Sequence, residues 1–339
     1  MPSPRPKRNA SRRVALASVL SLLLAASAVA DEEPPACSGR DLTRGLDDAA
    51  ARAARADELT DAQGLLWRVS RDGLAPSYLF GTIHSTDDEA VAIARRASEL
   101  AAKAQVVATE LGAPMDLAEK SALGAKLFAS AIDREDDTFA PALAGAEGAM
   151  VEAYLAGRGV PKELAHHLRL WFLALSAAEP PCEAARAQAG LPEVDDVIAR
   201  AGVDAKVPVV GLESVDEQMS VLAAAPPPLA AALLETSARL PSLDGDSYAT
   251  MLRLYAESRP AEMIAVVDAL PELRPDERAA EHSFDQMLLV GRNETMASRA
   301  APLLAKGGAF IAVGALHLPG KDGLIARFRA MGYGVDKVW

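Results

Sequence analysis

With 339 residues, 50% hydrophobic and 24% charged, the chain has the composition of an ordinary globular protein and not of a disordered or fibrous one. Its length suits one large domain or a domain with a sizeable insertion. Aromatic residues make up only 4%, so a core must rest mainly on Leu, Val and Ala. The net charge of −12 excludes the basic surface that binding to nucleic-acid phosphates requires.

Arg5, Lys7, Arg8, Arg12 and Arg13 precede an apolar run, VALASVLSLLLAASAVA, at 14–30. The run ends in Ala28-Val29-Ala30 and is followed by the acidic DEEPP. This order predicts a secretory signal peptide over 1–30, cleaved after Ala30, and a periplasmic or secreted protein. An uncleaved anchor is the alternative, but 17 residues are short for a membrane span. Ser11-Arg12-Arg13 is a weak twin-arginine hint that leaves the export route open. Cleavage removes five basic residues and no acidic one, leaving 30 basic against 47 acidic, a net charge of −17. So acidic a body should avoid anionic lipid, and no stable membrane insertion is expected after cleavage.

Residues 31–60 read as a tail followed by one alanine-rich helix, and 61–339 as a single domain. LLWRVSR (65–71) and SYLFGTIH (77–84) flank the turn cluster DGLAP and predict a β-hairpin. Thr86 with Glu89 predicts a capping box at the start of the next helix. QVVATEL (105–111) predicts a buried strand, completing a strand, helix, strand unit. From Pro114 to about Ala201 the pattern is helical throughout, an insertion expected to cap the sheet. VPVVGLES (207–214) predicts the next strand, and a second helical stretch spans roughly 215–300. GAFIAVGALH (308–317) predicts another buried strand, then a turn and helix, and YGVDKVW an edge strand. The expected fold class is α/β, with a central mixed or mostly parallel sheet flanked by helices.

Cys37 and Cys182 both stand beside prolines in the exported part of the chain. In an oxidising compartment they are a candidate disulfide, with two free thiols as the alternative. Closing so long a loop stabilises by on the order of 4 kcal/mol in the entropic model.

The five histidines are distributed unevenly. LFGTIH (79–84) and AVGALH (312–317) share one ending: apolar residues, Gly, two more residues, His, then a turn. The other apolar runs deliver Glu110 and Glu213. Strand alternation would put each Gly and its His on opposite faces. The four polar residues are expected at the carboxyl edge of the sheet, where α/β folds bind ligands. Two imidazoles with one or two carboxylates suit Mn, Co, Zn or Fe and hydrolytic chemistry. Taken singly, a strand-end His is more often a hydrogen-bonded structural residue, and each Glu fits an ordinary helix-cap neighbour. His166 and His167 point to different faces of a helix, one of them solvated, and His282 is expected at the surface.

YLFGTIHSTD, VVATEL, PVVGLESVDEQ, GRNETMA and FIAVGALHLPGKDGL occur in the order and spacing of the TraB/GumN family, relatives of the TIKI metalloproteases. The resemblance runs from about Leu65 to the C-terminus. It implies a fold like that of erythromycin-esterase-like and ChaN-like proteins, with His84, Glu110 and His317 as the central metal site. Glu213, Gln218, Arg292 and Asn293 match further family positions. The expected roles are catalytic for Glu110, Glu213 and Arg292, and substrate-binding for Gln218 and Asn293. The resulting expectation is an exported metal-dependent hydrolase acting on peptides or another small substrate. The alternatives are a non-catalytic pocket for a ligand such as haem, and a role in envelope or polysaccharide assembly.

Overall fold

The computed structural model describes residues 34–44, 60–133 and 137–339. The predicted signal peptide and most of the predicted 31–60 helix lie outside these residues. Six strands form one mixed sheet: β1 (Leu66–Ser70), β2 (Ser77–Thr82), β3 (Val106–Thr109), β4 (Val209–Gly211), β5 (Ala309–Gly314) and β6 (Gly334–Lys337), in the order β4-β3-β5-β2-β1-β6. β2 and β5 pair in parallel, as do β5 and β3, and β3 and β4. β1 is antiparallel to both β2 and β6, so the expected hairpin and the expected edge strand are both present.

The residues of the central strands alternate between two cores, as a period of two requires. Leu79, Ile311 and Val313 face one side, packed on Met296, Ala300 and Phe328. Phe80, Phe310 and Ala312 face the other, packed on Ala94, Ala97 and Ile198. Phe80 and Phe310 are fully buried, each contributing about 1.5–3 kcal/mol. Helix α1 (Asp88–Ala101) lies on this second face and buries Ala90, Ala94, Ala97 and Ala101, small enough for close approach to its neighbours.

Between β3 and β4 the chain forms α2 (Leu117–Ala131), α3 (Gly145–Gly157), α4 (Lys162–Ala165), α5 (Leu170–Ala178), α6 (Pro181–Gln188) and α7 (Val194–Asp204), with no strand among the described residues. The earlier of these helices share an apolar cluster of their own with α9 (Pro227–Arg239), built on Leu155, Leu168, Leu173 and Leu234. α7 instead places Val194 and Ile198 in the core of the sheet. α8 (Val215–Ala223), α10 (Leu243–Ala256), α11 (Glu262–Ala269) and α12 (Pro275–Leu304) fill the second helical stretch, and α13 (Leu324–Ala330) precedes β6. Among the described residues no single helix is long and apolar enough to cross a membrane. Cys37 and Cys182 form a disulfide with their Cα atoms 5.3 Å apart, joining the N-terminal segment to α6.

Two local expectations are corrected. The N-cap of α1 is Asp87, whose Oδ1 accepts from the amides of Glu89 (3.0 Å) and Ala90 (3.1 Å). Thr86 is buried and its hydroxyl accepts from Arg186 Nε at 3.0 Å, so it is spent on tertiary contact. The strands also end sooner than expected. β2 stops at Thr82 and β5 at Gly314, with His317 in a 3-10 turn (Ala315–His317), so strand alternation does not set where either imidazole points.

Candidate metal and catalytic site

Because β4, β3, β5 and β2 run parallel, their carboxyl ends share one edge of the sheet. Glu110 follows β3 directly. The pairing of β3 and β4 continues past both strands, where the Glu213 amide donates to the Glu110 carbonyl at 2.8 Å. Two carboxylates are thereby held side by side, 5% and 7% exposed. Unpaired, such burial would be costly. Arg292 of α12 lies between them, with Nη2 2.6 Å from Glu110 Oε2 and 2.7 Å from Glu213 Oε2. Gln218 of α8 donates to the same two oxygens at 3.0 and 3.3 Å. The Gly314 amide donates to Glu110 Oε1 at 2.7 Å.

Burial alone would raise the Glu110 pKa, but the charges of His317, His84 and Arg292 and the Gly314 amide bring it down to about 2. Burial lowers His317 to about 4, against the raising effect of Glu110, so that imidazole is neutral at neutral pH. The charges of His84 and Arg292 and the Gly314 amide are then what keep Glu110 ionised there.

Asn293 fixes the tautomer of His317. Its Nδ2 donates to the Asp322 carbonyl (3.1 Å), which can only accept. Its Oδ1 therefore faces His317 Nδ1 at 2.7 Å and takes the ring proton. Nε2 keeps its lone pair and faces Glu110 Oε1 at 3.8 Å. Two acceptors confront each other with no proton between them.

His84 lines the same cavity as Glu110 and His317. Its Nδ1 lies 3.1 Å from Asp195 Oδ2 in an ion pair not aligned as a hydrogen bond. The other Asp195 oxygen accepts from the Thr82 hydroxyl at 2.7 Å. Asp195 raises the His84 pKa chiefly through coulombic attraction. The His84 side chain is 72% exposed, so solvent screens much of that attraction.

The two glycines of the repeated ending have separate jobs. A Cβ on Gly81 would lie 2.9 Å from Ala315 Cα, so only glycine lets the 3-10 turn bearing His317 pack on β2. A Cβ on Gly314 would lie 3.3 Å from Glu110 Oε1. Gly81→Ala should cost about 1–3 kcal/mol through overpacking. An unchanged urea midpoint would refute this contact.

The loop after His84 is held by buried polar groups. Glu183 of α6 accepts the Thr86 amide at 2.7 Å and the Tyr248 hydroxyl at 2.5 Å. Arg186 donates to the Thr86 carbonyl at 2.9 Å, and the Val194 amide to the Ser85 carbonyl at 3.0 Å.

Two cavities meet at His84 and Glu110. One, of about 260 Å³, is mostly apolar and also lined by Arg292 and His317. The other, of about 500 Å³, is lined by Lys120, Glu193, Asp195, Asp196 and Gln218 among others. A depression of about 580 Å³ at 39–44 and 270–272 is lined by none of the strand-end residues.

Among the described residues, no three His, Cys, Asp or Glu side chains converge closely enough to hold an ion as positioned. The donor chemistry of the central pair fits one nonetheless. Bonds of about 2.1 Å at a tetrahedral angle separate ligand atoms by about 3.4 Å, a few tenths less than the His317–Glu110 spacing. Both histidines also direct Nδ1 at an orienting partner, Asn293 or Asp195, the usual support for an imidazole ligand.

All the sequence-predicted site residues line this edge or brace it. Gln218 and Asn293 hold the carboxylates and His317 by hydrogen bonds. His166 lies elsewhere, bridging Asp137 (2.8 Å) and Glu152 (2.9 Å), while His167 and His282 are exposed. Asp195 and the Glu183–Arg186–Tyr248 support were not foreseen. VDDVIARAG reads only as a helix, and nothing in its spacing singles out Asp195.

No curated relative matches the sequence. The model of the TraB/PrgY/gumN family matches residues 65–337, the span that carries the whole sheet and every residue of the site, and the chain therefore belongs to that family.

Proposed function

We propose that the protein is an exported, metal-dependent hydrolase that cleaves peptides, with His84, Glu110 and His317 holding a divalent transition metal such as Mn, Co, Zn or Fe. The observation that carries this reading is the pair of facing acceptors, His317 Nε2 and Glu110 Oε1, with no proton between them. The ion would supply polarisation of the scissile carbonyl and activation of water. The protein groups define the rest. Asn293 and Asp195 orient the imidazoles. Arg292 neutralises one of two adjacent carboxylates, so Glu110, Glu213 and Arg292 together carry one negative charge, favourable to a cation. Glu110 presents Oε1 to the site as third ligand or general base, because Oε2 is committed to Arg292 and Gln218. In hydrolysis, water oxygen bonds the carbonyl carbon, the C–N bond breaks, and the departing amine takes a proton.

Export rests on the signal-like 1–30 segment. The Cys37–Cys182 disulfide agrees with an oxidising compartment. The apolar cavity, about 260 Å³, suits a substrate side chain. Mature protein incubated with Mn, Co or Zn and a peptide mixture should give cleavage that a chelator abolishes. No chelator-sensitive product with any of the three metals would reject the hydrolase.

A further inference from the structure

We propose that the cavity of about 260 Å³ is the subsite for one apolar side chain of the substrate, so that Leu, Met or Phe is preferred next to the scissile bond. The inference rests on the hydrolase reading and names the substrate class of the same site.

The cavity opens beside the candidate reacting groups, since His84, Glu110, Arg292 and His317 belong to its lining. Away from them the wall is apolar. It is formed by Met251 and Tyr255 of α10, Met263 of α11, Leu288 and Leu289 of α12, and Leu316 of the 3-10 turn. Met251, Met263, Leu288 and Leu289 are only half-buried, so apolar surface stays uncovered within the chain. Tyr255 adds its ring and no polar partner, because its hydroxyl already donates to the Gly81 carbonyl at 2.8 Å.

A charged or amide side chain entering this space would lose water without finding a partner in the wall. An aliphatic or aromatic one would lose only unfavourable hydration. The two methionines make the wall adaptable, so no single shape is demanded. The second cavity sets charged groups, Lys120, Glu193, Asp195 and Asp196, beside apolar ones such as Leu123 and Leu127, and so is the less selective of the two. A peptide lying beside Glu110 would place one apolar side chain on the α10–α12 side and continue into the second cavity. Extra methylenes in such a pocket discriminate about 10–200-fold, so leucine should exceed alanine by a factor in that range.

Two readouts test the subsite separately from turnover. The first titrates the N-acetyl amides of leucine, phenylalanine, alanine and aspartate into the intact protein by ligand-observed NMR. Leucine and phenylalanine amides should bind at least about tenfold tighter than alanine amide, and aspartate amide should not bind. Met263→Trp should fill the space and erase that difference. Leu289→Ala should enlarge it and shift preference toward phenylalanine, which guards against one variant failing to fold. The second readout is the residue preference in a peptide library with metal present. Equal binding of all four amides, or a leucine preference that survives Met263→Trp, overturns the subsite. Cleavage without apolar preference also overturns it and leaves the hydrolase standing. Apolar amide binding with no peptide cleaved supports the subsite and rejects the hydrolase.

Discussion

His84→Ala should abolish metal binding and chelator-sensitive cleavage while leaving the fold intact. The side chain is 72% exposed and pairs with Asp195 at the surface, so the stability change should stay within about 0.5 kcal/mol. His317→Ala is a poorer test. It opens space in the interior and strands Asn293 Oδ1, a burden of about 1–3 kcal/mol that could depress activity through the fold. Asp195→Asn should weaken metal binding about 10–100-fold, because it removes the charge that orients His84. Glu110→Gln separates ligand from base. As a base, Glu110 is worth roughly 10²–10⁴ in rate with most metal retained; as a ligand, metal and rate fall together. That variant also sets an amide group against Arg292 and Gln218, so its stability must be measured beside its activity. Metal content, kcat and circular dichroism on each purified variant decide the matter. His84→Ala cleaving as fast as wild type would end the metallohydrolase reading.

The second large effect is expected at α6. Glu183→Ala leaves the buried Thr86 amide without its acceptor, while the Tyr248 hydroxyl keeps Ser85 Oγ at 2.8 Å. That loss should remove about 1–3 kcal/mol from the unfolding free energy. Cys182 is the residue before Glu183, and the disulfide closes a separation of 145 residues. Replacing both cysteines by alanine should cost about 2–5 kcal/mol. Because α6 carries both the disulfide and the clamp on the loop after His84, the two changes should combine less than additively. A urea-denaturation double-mutant cycle measures this, and additivity within about 0.5 kcal/mol would show that they act independently. Thiol titration of denatured, unreduced protein should find no free thiol.

The limits of sequence reading fall where contacts become non-local. The strand of VVAT and the hairpin of LWRVS with SYLFGT were legible because short apolar, β-branched runs and the turn cluster DGLAP act over a few residues. The helix start was misplaced by one residue, since Thr86 and Asp87 are both good caps and only the approach of Arg186 decides between them. Arg292 is expected from its chemistry to orient a carboxylate or bind an oxyanion, but which carboxylates it meets was out of reach. A guanidinium 182 positions from Glu110 becomes its partner only once α12 crosses the strand ends.

By itself, then, the sequence determined the strand and helix segments, the disulfide-capable cysteines and the chemical types His84, Glu110, Glu213 and His317, because apolar periodicity and residue type are local properties. Only the tertiary structure decided the order β4-β3-β5-β2-β1-β6 and the 3-10 turn that presents His317. It also decided the partners Asn293 and Asp195 that orient the two imidazoles, and the clamp of Arg292 on two carboxylates. Those features depend on which distant elements pack together, and that is set by the burial of the whole core and the pairing of its buried charges.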